Sequence, residues 1–149
     1  ACGYRNNYPE IVQGRDKEEP AFISFDYTLG FDNEIKGLSP TLVANAQAIP
    51  LSSDSAGTVI CTEAMEHIEN PSQALSEINR ILRPGGIFIL TIPGIDVPSH
   101  EKVYQRDYGR YNVKGVETML QNNGFVIIEM KEKFFENKQI NILVICRKE

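Results

Sequence analysis

The chain has 149 residues, 42% of them hydrophobic, which is enough for one sizeable core and too little for two ordinary domains, so 1–149 reads as a single domain. A net charge of −5 disfavours a nucleic-acid partner, whose phosphates call for clustered Lys and Arg, and no apolar run nears the roughly 20 residues that cross a bilayer. Cys2, Cys61 and Cys146 form no CxxC pair, so neither a zinc site nor a disulfide framework is suggested, and with no signal-peptide pattern at the N-terminus a soluble, cytoplasmic protein without a membrane partner is expected.

Strand-like and helix-like segments alternate along the chain. AFISFD (21–26) and TLVANA (41–46) are short β-rich apolar runs, and TVICT (58–62) and IFILTIP (87–93) repeat the pattern. Runs apolar on both faces suit a sheet covered on both sides. Between the last two lies NPSQALSEINRILRPGG, where Leu75, Ile78 and Leu82, with Ala74 and Ile81 beside them, recur at helical spacing. Asn70 is placed to cap this helix, Pro71 suits its first position, and Gln73 completes a capping-box-like pattern. Arg80 and Arg83 favour the negative end of the helix dipole, and Pro84-Gly85-Gly86 stops the helix.

A second helix is expected after Asn112, with Val113, Val116, Met119 and Leu120 inward and an end at Gly124. FVIIEM and INILVIC then read as an antiparallel pair joined by a charged connection, KEKFFENKQ, whose residues 131–138 form a solvated face. The fold class expected is α/β: a Rossmann-like, doubly wound, mostly parallel sheet with an antiparallel C-terminal hairpin strand.

The ordered set Ile49-Pro50, the strand 58–61, Glu66-His67, Asn70-Pro71 and Leu82-Arg83-Pro84-Gly85-Gly86 resembles the class I S-adenosylmethionine-dependent methyltransferases, in particular the small type-11 domains. RDYGRYNVKGVETMLQNNGF is similar to the Asp-aromatic-x-Arg-aromatic-Thr segment of that family and the helix after it. The resemblance implies transfer of a methyl group from the S-adenosyl-L-methionine sulfonium to a nucleophile by in-line displacement. Alignment of the two reactants then carries most of the catalysis, in places about 7 to 11 kcal/mol.

Read against that family, Cys2 and Gly3 look like the end of its first glycine-rich loop, where backbone approaches the cofactor. Asp26 follows about 20 residues later at a strand end, the place for a carboxylate that accepts from both ribose hydroxyls. Asn45 stands where the family usually has an Asp near the adenine, with the Ala46 amide beside it. Cys61, Thr62 and Glu63 end the fourth strand of the family, where the methionine part of the cofactor passes. On the acceptor side the candidates are His100, Tyr104, Asp107, Tyr108, Arg110 and Tyr111, with His67 as a further catalytic candidate. No metal ligand set is expected.

Asn45, Gly57, Gly109 and Asn112 depart from the family pattern, and the first strand, an aliphatic pair and Asp before Gly-x-Gly, does not precede Cys2. That strand would lie between the second and fourth, so its loss strips ladder partners from both. Three explanations are open: an N-terminally incomplete domain, a rearranged sheet, or a strand supplied by another chain, in which case a homo-oligomer is expected. The first is favoured because the remaining pattern is regular. The leading reading is a methyltransferase acting on a small-molecule or glycan-like acceptor. The rival is a methyltransferase-fold binding module that no longer catalyses. A nicotinamide-dependent oxidoreductase ranks below both, for want of Gly-x-Gly-x-x-Gly after a strand.

Overall fold

The computed structural model describes residues 25–26, 42–99 and 107–149. Cys2, Gly3, His100 and Tyr104 lie outside the described residues. Strand β1 (Phe25–Asp26) pairs in parallel with β2 (Leu42–Val43). The larger sheet has β3 (Ala56–Thr62), β4 (Leu82–Pro93), β5 (Phe125–Phe135) and β6 (Lys138–Lys148) in the order β3-β4-β6-β5. Pairing is parallel between β3 and β4 and antiparallel on both sides of β6. An α/β sheet with an antiparallel C-terminal strand is what the alternation predicted.

Helix α1 (Pro71–Ile81) forms where expected, with Ala74, Leu75, Ile78 and Ile81 buried. Asn70 caps it, its side-chain oxygen accepting from the Gln73 amide at 3.1 Å. The reciprocal half of a capping box is absent, because the Asn70 amide is already taken by Gln47 Oε1 at 3.1 Å. A longer-range partner thus replaces the local one. The helix stops at Ile81, before Arg83, and the chain passes through a wide irregularity, with Ala56 opposite Leu82 but Thr58 opposite Ile87. Gly85 absorbs that excursion with φ +74°, a conformation that a Cβ disfavours.

Arg80 does more than face the helix dipole. With Glu77 it grips the 49–51 segment: Glu77 Oε2 accepts from the Ile49 amide at 2.8 Å, and the guanidinium donates to the carbonyls of Ile49 (2.8 Å) and Leu51 (2.7 Å). The Ile49-Pro50 pair is thereby fixed against α1, with Ile49 in the core.

Helix α2 (Val113–Asn122) is capped by Asn112, whose side-chain oxygen accepts from the Gly115 amide at 2.7 Å. Val116 and Leu120 are buried, while Val113 and Met119 pack at the margin of the core. Beneath the helices lies one face of the sheet: Phe88, Leu90 and Ile92 of β4 stand opposite Cys146, Val144 and Ile142 of β6, all fully buried. Each of the Phe, Leu, Ile and Val side chains among them contributes roughly 1.5–3 kcal/mol. On the other face Ile87, Ile89, Leu143 and Ile145 are half-buried.

The charged stretch after Met130 is strand rather than connection. β5 and β6 run on to Phe135 and Lys138, and the turn is only Glu136-Asn137, both with positive φ (48° and 63°). A two-residue turn of that hand matches the twist of a hairpin. Charge misleads here because β5 is an edge strand whose outer half is exposed, so alternating Lys and Glu suit it. Among the described residues no helix is long and apolar enough to cross a membrane.

Candidate active site at the ends of β3 and β4

In parallel α/β sheets ligands bind beyond the carboxyl ends of the strands, where the connecting loops part. β3 ends at Thr62, and Glu63 turns the chain away with φ +46°, its amide donating to Thr91 O at 3.0 Å. Glu63 Oε1 accepts from Asn141 Nδ2 at 2.6 Å, which joins this corner to β6. Cys61 is buried and Thr62 half-buried, so Cys61 faces the core while its backbone runs to the strand end.

A short 3₁₀ turn, Met65–His67, follows. Met65 is fully buried and anchors the turn, and Glu66 goes in with it at 5% exposure. Glu66 Oε1 lies 3.7 Å from His67 Nε2, and the buried Oε2 has no hydrogen-bond partner among the described residues. Burial pushes the Glu66 carboxyl up to about 7, and the Glu63 carboxylate adds to this, while a backbone hydrogen bond, His67 and Arg110 pull the other way.

After β4 the chain folds back over this corner. Tyr111 bridges to Gly94, and the Tyr108 amide donates to Glu66 O at 2.8 Å. Arg110 fastens the segment. Its guanidinium pairs with both oxygens of Asp107, at 2.7 Å for Oδ2, and donates to the carbonyls of Val97 (2.9 Å), Pro98 (2.8 Å) and Gly109 (2.9 Å). Ser99 Oγ donates to Asp107 Oδ2 at 3.2 Å. The hydrogen bond to Asp107 holds the guanidinium firmly protonated, and burial together with the Glu66 carboxylate raises the Tyr111 phenol. Gly94 admits no side chain, because a Cβ there would stand 2.4 Å from Gln139 O. The start of β6 therefore runs close beside Gly94, whose amide donates to Ile140 O at 3.2 Å.

Of the residues picked from sequence, Glu63, His67, Asp107, Tyr108, Arg110 and Tyr111 are gathered around this corner. Asp107 and Arg110 spend their charged groups on each other and on backbone, whereas Tyr108 is 50% exposed. Asn45 lies after β2 in a tight turn: its side-chain oxygen accepts from the Gln47 amide at 2.9 Å, and Nδ2 has no partner among the described residues. Gln47 links that turn to the start of α1, and Ala46 packs against the core. Asp26 ends β1. Two surface hollows, one beside α2 at Asn112 and Thr118 and one between α2 and β5, contain none of these residues.

Glu66 and Asn141 were missed as site residues. Glu66 carries no periodic signal, since a three-residue turn is too short to show one, and Asn141 reaches the corner only through the antiparallel return of β6. The described residues contain no cluster of His, Cys, Asp and Glu able to hold a metal.

The model of the methyltransferase-domain family matches residues 20–90. A malonyl-[acyl-carrier protein] O-methyltransferase of Alcanivorax borkumensis is 40% identical over 52 residues, which cover 35% of this chain and 18% of that protein. The chain thus spans about a fifth of the length of this curated relative. Among solved structures, a complex between the Haloferax volcanii Trm112 methyltransferase activator and a methyltransferase gives a TM-score of 0.61 at 21% identity, covering 71% of this chain and 60% of that one. An S-adenosylmethionine-dependent methyltransferase from Mesorhizobium loti gives 0.63 at 14% identity, covering 72% and 68%. At these identities the structural likeness establishes the fold. The resemblance read from the motifs is borne out by both sequence and fold, and the cofactor of the family is S-adenosylmethionine.

Proposed function

We propose, for a chain with a methyltransferase-domain sequence over residues 20–90 on the fold of the class I S-adenosylmethionine-dependent enzymes, that it transfers a methyl group from S-adenosylmethionine to a small-molecule or glycan-like acceptor. We read 1–149 as one domain and place the protein in the cytoplasm, in keeping with its acidic, thiol-bearing composition. The observation that carries the reading is the corner beyond β3. Glu63 is held in the left-handed region with one carboxylate oxygen bonded to Asn141 and the other unbonded among the described residues. That oxygen suits the ammonium of the methionine part, with the backbone of Cys61 and Thr62 alongside. Asn45 would meet the adenine through Nδ2, donating to a ring nitrogen, because its oxygen is engaged with Gln47. The Ala46 amide would serve beside it, Asp26 would take the ribose hydroxyls, and Cys2-Gly3 would supply close backbone.

When bound, S-adenosylmethionine supplies the electrophilic methyl, and the chain supplies alignment. The acceptor lies between the corner and the segment 107–111, with exposed Tyr108 as the contacting group there and Asp107 and Arg110 as its frame. His100, Tyr104 and His67 remain acceptor-side candidates. A base is needed only where the acceptor carries a proton.

Calorimetric titration with S-adenosylmethionine and with its demethylated product tests this reading. Saturable one-to-one binding of both is expected. Binding of neither would turn the reading to the non-catalytic module.

A further inference from the structure

The buried carboxyl of Glu66 is used by no step above. Its Oε2 is enclosed without a hydrogen-bond partner among the described residues, and its neighbour His67 Nε2 stays 3.7 Å from the other oxygen. An ionised carboxylate in that position gives up hydration at one oxygen and gains no donor in return, whereas a neutral carboxyl gives up less. The titratable and charged groups facing it are His67 in its own turn, Glu63 at the end of β3, and Asp107, Arg110 and Tyr111 in the segment packed above. Arg110 is the strong cation among them, and it is already committed to Asp107 and three carbonyls.

The same turn carries the segment mechanically, through the hydrogen bond from the Tyr108 amide to Glu66 O. A negative charge on Glu66 therefore competes with Asp107 for one guanidinium, and either outcome moves the backbone that Arg110 fastens. Retreat of the carboxylate toward water displaces Tyr108. Capture of Arg110 releases Asp107 and the 97–98 carbonyls.

We propose that Glu66 is a positioning residue for the acceptor-side wall: while its carboxyl is neutral the segment 107–111 seats on the end of β3, and ionisation unseats it. The inference rests on the reading of that segment as acceptor-side, and it makes acceptor capture sensitive to pH near neutrality.

Amide hydrogen exchange at Tyr108 in the full chain tests this, at pH 5.5 and 8.5, with rates corrected for intrinsic pH dependence. In the wild type, protection of this amide falls at the higher pH by up to roughly 30-fold, because pH 8.5 is about 1.5 units above the carboxyl at about 7. In Glu66→Gln, a neutral side chain of similar shape, protection is equal at both pH values. An equal fall in the variant, or none in the wild type, overturns the proposal. Should the variant fail to fold, the wild type answers alone: the Tyr108 amide shift titrates together with the Glu66 carboxyl carbon, and an amide that ignores that titration overturns it. Neither measurement uses methyl donor or acceptor, so failure here leaves the transferase reading standing, and failure to bind S-adenosylmethionine leaves this result standing.

Discussion

Two arginines in this protein perform the same local task in different surroundings. Arg80 pairs with Glu77 three residues before it and holds the carbonyls of Ile49 and Leu51; Arg110 pairs with Asp107 three residues before it and holds the carbonyls of Val97 and Pro98. In each case an i,i+3 ion pair turns a guanidinium into a clamp on a neighbouring loop. The difference is burial. Side-chain exposure is 34% and 16% for Arg80 and Glu77, but 12% and 1% for Arg110 and Asp107, and only the second pair has another buried carboxyl, Glu66, against it. A clamp in water is structural and tolerant. A clamp enclosed with a surplus carboxyl is strained by any change in charge, and it stands at the strand ends where chemistry belongs.

The largest effect should come from Arg110→Ala, which leaves the Asp107 carboxylate buried without its cation. Urea unfolding should show a loss of about 3–5 kcal/mol. Arg80→Ala, in which Glu77 can turn to water, should lose distinctly less. Equal losses would break the comparison.

The pH dependence comes next. The folded state binds the Glu66 proton more tightly than the unfolded chain, since the carboxyl is raised from 4.5 to about 7. Its contribution is fully present below pH 4.5 and is lost as pH rises through 7, with a total on the order of 3 kcal/mol. Unfolding free energy measured from pH 4.5 to 8 should therefore carry a falling component that Glu66→Gln removes and Glu77→Gln leaves in place. The Glu77 carboxyl is shifted the other way, downward by Arg80, so its stabilising contribution is lost on acidification instead. The smallest effect expected is Asn70→Ala, which removes the cap of α1 and costs about 1 kcal/mol without altering the pH profile.

The sequence revealed those parts of the fold that repeat. α1 was readable from Ala74, Leu75, Ile78 and Ile81 and from the Asn70-Pro71 start, and β3 and β4 from apolar runs between turn residues. The outer half of the β5–β6 hairpin was not readable, because Lys131, Glu132 and Lys133 on an edge strand look the same as a loop until pairing is known. The capping pattern at Gln73 was legible, but Gln47 as partner of the Asn70 amide was not, since it sits 23 residues away. At the site, Glu63, Asp107, Arg110 and Tyr111 were found through a family pattern. Which of them face outward and which face each other depends on a fold-back over Glu66 that no spacing encodes. Glu66 itself was read only as half of a Glu-His pair, because burial of a charged residue is the least predictable property of a sequence.

The claim on which the rest depends is that S-adenosylmethionine binds beyond β3. The direct measurement is an amide NMR titration of the chain with S-adenosylmethionine. The account predicts saturable shifts at Cys61, Thr62 and Glu63 and at Asn45 and Ala46, with smaller ones at Tyr108 and Tyr111. Absence of saturable shifts, or shifts confined to the hollow beside α2 at Asn112 and Thr118, would contradict it.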